Sequence, residues 1–231
     1  ISNNLFSLKG KTALVTGGST GIGLMATAGL ISAGAKVFIV SRKLENCQNA
    51  AHELNNHGFE GEVIPFSGDL SSETGINKII EEVYSKNSEL HILINNAGRT
   101  WGSDLSSFPY DAWAKVLNLN VSAIFYLTQK LVPLLASSSK SDFPSRVVNI
   151  GSVMGEVPMG DGAYSYAASK SAVHHITRIL AKELAEKNIT VNALAPGPFQ
   201  SNMTDFAIGD SKGAMRVSKR VPLNRIGQTD D

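Results

Sequence analysis

The chain predicts an α/β fold: one domain built on a doubly wound parallel sheet, with helices on both faces. Short apolar, β-branched runs alternate with helical stretches along the whole length, as parallel βαβ units require. A glycine-rich turn, Gly17-Gly18-Ser19-Thr20-Gly21-Ile22-Gly23, joins the first such run to the first helical stretch. The 231 residues, 42% hydrophobic and 18% charged, have the composition of a folded chain long enough for one substantial core.

The elements follow in order. Residues 12–16 (TALVT) are apolar and β-branched, which predicts a strand, and the glycine turn then opens a helix at 21–33. A second strand at 36–41 leads to a helix at 44–57, and a third at 62–67 to a helix at 74–85. A fourth strand, 91–95, runs into the amides Asn95 and Asn96, which suit a turn or a grip on backbone at the strand end. A long helix is expected over 110–136, with Asn120, a poor helix former, marking a local kink that holds a functional water or else a surface position. Ser137 to Ser141 read as a surface loop. Strands at 146–150 and 190–195 flank a helix at 163–187. Right-handed crossovers then give the strand order 3-2-1-4-5-6 of a Rossmann-type sheet.

Composition narrows the partners. The net charge is +1 and the basic residues are dispersed, so neither nucleic acid nor an anionic membrane is expected. No run of ~18 apolar residues predicts a membrane span, and residues 1–11 carry no secretory apolar stretch. Cys47 is the sole cysteine, which rules out an intrachain disulfide and fits a reducing, cytoplasmic compartment; its expected role is packing or surface. His174 and His175 have no further His or Cys at metal-ligand spacing, so no metal is expected and both read as packing or interface residues.

The glycine turn can cradle a pyrophosphate. Gly17, Gly21 and Gly23 lack Cβ atoms, which permits a tight turn and close approach of phosphate to backbone, and the helix N-terminus offers free N–H groups. An acidic residue at the end of the second strand would bind a ribose 2′-OH. This chain has Ser41-Arg42-Lys43 there and no carboxylate before Glu45. Arg42 suits a 2′-phosphate, which favours NADP(H) over NAD(H). Solvated charges at a helix start are the alternative.

Tyr166 and Lys170 stand four apart, on one face of the expected helix. A phenol titrates near ~10, and a cation ~4 Å away at an effective dielectric of ~20 contributes enough to bring it toward neutrality. The pair therefore predicts an acid/base group. Tyr164 is close in sequence, but Ala168 occupies its fourth following position, so Tyr166 is the candidate.

With these motifs in order, the chain resembles the short-chain dehydrogenase/reductase family over residues 8–227. The TGGSTGIG segment resembles its cofactor loop, including Gly17, Ser19, Thr20, Gly21, Ile22 and Gly23. Asn95-Asn96-Ala97-Gly98 resembles its NNAG motif, Tyr166 to Lys170 its YxxxK motif, and Pro196-Gly197 its nicotinamide-side motif. The resemblance implies an NAD(P)-dependent oxidoreductase acting on a carbonyl/alcohol pair. Tyr166 would be the acid/base, Ser152 would hold the substrate oxygen, and Lys170 would lower the Tyr166 pKa and bind the nicotinamide ribose. Asn120 would support a proton-relay water. Asp69, with Leu70 beside it, would contact adenine; Asn96, Ala97 and Gly98 would line the adenosine ribose and its surroundings, and Phe199 and Ser201 would also bind the cofactor. Two plainer roles compete: Ser152 as a strand-end cap, and Asp69 as N-cap of the helix near Ser72.

The loops around the site are similar to the β-ketoacyl-reductase branch, through Arg99 to Gly102, Gly162 to Tyr166 and Pro198 to Met203 with Asn202 between. This implies a 3-oxoacyl thioester as substrate. Another small-molecule alcohol, sugar or steroid is the alternative, and a non-catalytic dinucleotide sensor is the reading from a different class. Residues 199–221 are the expected substrate lid, with Met203, Phe206, Ala207, Ile208 and Met215 as its apolar set and Lys212, Arg216, Lys219 and Arg220 as its charge. The resemblance also implies a homotetramer. Relative to the family, a C-terminal helix and strand after Gly227 are expected to be missing or disordered.

Overall fold

In the computed structural model, residues 5–159, 162–201, 203–229 and 231 are described. Residues 1–4, Asn202 and the side chains of Phe206 and Ala207 lie outside that description. The strands are β1 (Thr12–Thr16), β2 (Lys36–Ser41), β3 (Glu62–Ser67), β4 (Ile92–Asn95), β5 (Ser145–Ile150) and β6 (Ile189–Leu194). All pair in parallel, in the order β3-β2-β1-β4-β5-β6 that the crossover rule predicts. The helices are α1 (Gly21–Ser32), α2 (Leu44–Asn55), α3 (Glu73–Lys86), α4 (Tyr110–Leu117), α5 (Ala123–Ser138), α6 (Tyr164–Leu184), α7 (Asp205–Ile208) and α8 (Ser211–Ser218).

The sheet is buried on both faces because its strands alternate between two apolar sets. Ala13, Val15, Val37 and Ile39 pack with Ile31, Cys47, Ala51 and Leu54 of α1 and α2. Leu14, Phe38 and Val40 point the other way, onto Ile76, Ile79, Leu127, Leu131 and Leu180 of α3, α5 and α6. Each fully buried leucine here contributes about 1.5–3 kcal/mol. Pro65, which cannot donate to a ladder, is tolerated because β3 is an edge strand.

The helical run Tyr110–Ser138 is long and apolar enough by composition to cross a membrane. Here it packs on the sheet, with Leu127, Leu131 and Leu135 fully buried. It is not the uniform helix expected. A π-helical turn, Asn118–Ser122, separates α4 from α5 and turns Asn120 into the interior, where it is fully buried. β4 starts one residue later than expected. His91 precedes it and accepts the Thr12 N–H at its Nδ1 (3.1 Å).

Candidate active site

A cleft of about 400 Å³ opens at the C-terminal ends of the strands, where the strand order reverses between β1 and β4. The glycine turn forms one wall. Gly17 has φ +66°, a conformation open to glycine, and a Cβ on it would come within 2.9 Å of Asn96 Nδ2. A Cβ on Gly23 would run into the Gly17 carbonyl, so this glycine brings α1 against the turn. The turn is clamped from β4. Asn96 Nδ2 donates to the Thr16 and Gly17 carbonyls at 2.9 and 3.2 Å. Thr16 Oγ1 accepts the Asn96 and Ala97 N–H groups, both at 3.0 Å. Thr16 was not singled out from sequence, although its hydroxyl at the strand–turn junction was a usable signal.

Most of the expected cofactor set lines this cleft: Gly17, Thr20, Gly21, Ile22, Arg42, Asp69, Leu70, Asn96, Ala97, Gly98, Pro196, Gly197, Phe199 and Ser201. Ser19 does not; it is buried and donates to Ser41 Oγ at 3.4 Å. Gly23 lies behind the turn. Asp69 is not the cap of α3; Ser72 is, accepting from the Gly75 N–H at 3.1 Å. Asp69 instead accepts from the Ser71 N–H at 2.9 Å, and hydrogen bonds from Ser71, assisted by the charge of Arg42, hold its carboxyl below the usual range. Arg42 and Asp69 thus share the end of the cleft beyond β2 and β3.

Ser152, Tyr166 and Lys170 meet at the other end. Ser152 follows β5, and the structure shows it as a cap. Its Oγ accepts the Met154 N–H at 3.1 Å, capping a short 3₁₀ turn (Val153–Gly155), and the residue lines the cleft together with Tyr166. Lys170 Nζ lies 5.5 Å from the centre of the Tyr166 ring and donates to the Ile150 carbonyl at 2.6 Å. The expected lowering of the Tyr166 pKa is not found. Burial pushes the phenol above its ordinary value, against a smaller opposing pull from Ser152. Burial also lowers Lys170, to about 8. Spacing reveals the Tyr–Lys row, whereas the desolvation of the phenol depends on the fold.

Asn120 is not in the cleft lining. Its Oδ1 accepts the Arg99 N–H and its Nδ2 donates to the Arg99 carbonyl and to Ser169 Oγ, each at 2.9 Å. Ser169 Oγ in turn donates to the Tyr166 carbonyl at 2.6 Å. Asn120 therefore braces the first turn of α6 and the cleft residue Arg99, which sequence reading placed only in a loop. Tyr164 packs edge-on to Phe108, with ring centres 5.3 Å apart, outside the cleft lining. Of the expected lid, Met203 lines the cleft, Ile208 is buried and Met215 is exposed.

The arrangement is matched elsewhere. The family model described as short chain dehydrogenase matches residues 11–210. The chain is 45% identical to the rhamnolipids biosynthesis 3-oxoacyl-[acyl-carrier-protein] reductase of Pseudomonas aeruginosa, over 98% of this chain and 87% of that protein. It is 32% identical to the 5-keto-D-gluconate 5-reductase of Escherichia coli K12, over 99% of this chain and 87% of that protein. Among solved structures, the active-site complex of Pseudomonas aeruginosa RhlG with NADP superimposes with a TM-score of 0.93 at 44% identity, covering 99% of this chain and 88% of that one.

Proposed function

The chain belongs to the short-chain dehydrogenase family of NAD(P)-dependent oxidoreductases, and we propose that within it the protein uses NADPH to reduce the ketone of a 3-oxoacyl thioester. The convergence of Ser152, Tyr166 and Lys170 at one end of a glycine-walled cleft carries this reading. The residues fit the cofactor. The turn leaves room for phosphate where side chains would clash, and Arg42 offers a guanidinium where a 2′-phosphate needs one. When bound, NADPH supplies the hydride.

The chain's own residues supply the rest. As negative charge grows on the substrate oxygen, Ser152 Oγ donates a hydrogen bond to it. Tyr166 stays protonated in its buried setting and delivers the phenolic proton to that oxygen. Lys170, fixed by the Ile150 carbonyl, holds positive charge beside the phenolate that remains and grips the nicotinamide ribose. Asn120 sets Ser169 and, through it, the α6 turn carrying Tyr166. Residues 199–221 act as the lid over the acyl chain, with Met203 facing the cleft and Lys212, Arg216, Lys219 and Arg220 supplying charge for a thioester carrier.

The 45% identity to a 3-oxoacyl reductase supports the substrate class. Identity of 32% to a keto-gluconate reductase favours a sugar acid as the second reading. Steady-state rates with NADPH on acetoacetyl-CoA, 5-keto-gluconate and simple ketones test both. Turnover only on the keto-acid would replace the thioester reading, and cofactor binding without turnover on any carbonyl would favour a sensor. Half-exposed Phe125 and Ile179 on α5 and α6 support a homotetramer packed through these helices, which light scattering checks. A single cysteine, buried Cys47, supports a cytoplasmic setting.

A further inference from the structure

His174 is one turn beyond Lys170 on α6, so Tyr166, Lys170 and His174 form one row along the helix. The ring is buried and reaches across to the loop that carries Ser152. Its Nε2 accepts the Ser152 N–H at 3.4 Å, a long bond. Its Nδ1 contacts Glu156 Oε1 at 2.7 Å. These partners define one tautomer: an acceptor toward Ser152, with the proton on Nδ1 donated to Glu156.

The loop is shaped around this ring. A Cβ on Gly151 would overlap His174 Nε2, and one on Gly155 would come within 2.8 Å of Cε1. The two glycines flank the segment from Ser152 to Met154, so imidazole fills the space that both leave. Other bonds hold the same loop: the Gly151 and Val153 N–H groups donate to the Leu194 and Pro196 carbonyls at 2.7 and 3.1 Å. Between those two anchors, the Ser152 N–H is held by His174.

We infer that His174 is a positioning residue for Ser152, with Glu156 fixing its tautomer, so that the Ser152 hydroxyl is registered to the helix that carries Tyr166 and Lys170. The inference rests on the reading of Ser152 as the donor to the substrate oxygen. Its consequence is a loss in turnover rather than in cofactor binding.

The test is a double-mutant cycle on the full chain with NADPH and acetoacetyl-CoA, or whichever carbonyl substrate proves active. His174→Leu keeps the bulk and removes the acceptor. Its kcat is expected to fall about 10- to 100-fold, the scale of a donor misplaced by ~1 Å, with KM for NADPH within about twofold of the parent. His174→Gln, whose amide oxygen can accept the Ser152 N–H, should recover most of that loss. In a Ser152→Ala background, His174→Leu should cost less than about threefold more, because it acts through a hydroxyl already gone. An equal loss in both backgrounds, or equal impairment of the Leu and Gln variants with matching falls in melting temperature, would overturn the inference. Parent-like turnover in Ser152→Ala alone would sink the reading of Ser152 and this inference together.

Discussion

Lys170→Met should separate the needs of folding from those of chemistry. The Lys170 side chain is only 4% exposed, and burial lowers its pKa from an ordinary 10.5 to about 8. At about 1.4 kcal/mol per pH unit, this fall means the charged form costs about 3 kcal/mol of stability at pH 7. Methionine has a similar length and no charge, but leaves the Ile150 carbonyl without its 2.6 Å partner, a loss of about 1–2 kcal/mol. The variant should therefore be about 1–2 kcal/mol more stable at pH 7 and catalytically dead.

The sign of the pH dependence follows from proton counting. Between about 8 and 10.5 the unfolded chain holds the Lys170 proton more tightly than the folded one, so parent stability rises with pH across that window. By pH 9.5 about 2 kcal/mol is regained, and the advantage of the variant should vanish or reverse. Tyr166 acts in the opposite sense, since its raised pKa favours folding at low pH, but that contribution is lost only above its ordinary value of 10. Urea denaturation at pH 7 and 9.5 reads the difference as midpoint shifts on the order of 0.5 M. A variant less stable than the parent at pH 7, or a gap that does not change with pH, would refute the buried-charge reasoning.

Further outcomes follow from the same geometry. Tyr166→Phe should lower kcat by about 10³-fold or more, as loss of a general acid and a hydrogen-bond donor, while Tyr164→Phe changes it less than about threefold. The reverse pattern in steady-state assays would move the acid to Tyr164. Arg42→Ala should raise KM for NADPH about 10- to 100-fold, the worth of a charge-assisted bond, and leave KM for NADH nearly unchanged. Equal effects on both cofactors would remove Arg42 from the 2′-phosphate site. The pH profile of kcat/KM for NADPH in the reductive direction should fall above about pH 8 as Lys170 loses its charge; a flat profile to pH 9.5 would contradict that dependence.

Much of the architecture is legible in sequence because its signals are local. Five-residue β-branched runs such as TALVT, stopped by glycine, specify strands, and the crossover rule supplies their order. The Tyr166–Lys170 row is legible from helical spacing alone. From spacing and propensity Asn120 was readable only as an anomaly, and its expected role came from the resemblance. Its inward turn needs the Arg99 carbonyl and Ser169 Oγ, 21 and 49 residues away, to accept its amide hydrogens. Desolvation of Tyr166 is equally non-local. His174 stands in the visible helical row, yet its partners are on a loop 18 to 22 residues earlier, and spacing along α6 carries no sign of them. The four-residue α7 shows too little of a helical period to predict which lid side chains face the cleft.

Helix α6 spans 21 residues, and its buried face runs from Ser165 to Leu184. Tyr166 and Lys170 stand on its first two turns, and Leu180 and Leu184 anchor its last ones in the main core. The spacing of the proposed catalytic pair is thereby tied to the main core of the protein. Amide hydrogens along α6 should exchange only through global opening, and thermal inactivation should track loss of ellipticity, with no folded but inactive state between them. For an engineer, raising the melting temperature through α6 contacts also raises the temperature at which the enzyme stops working.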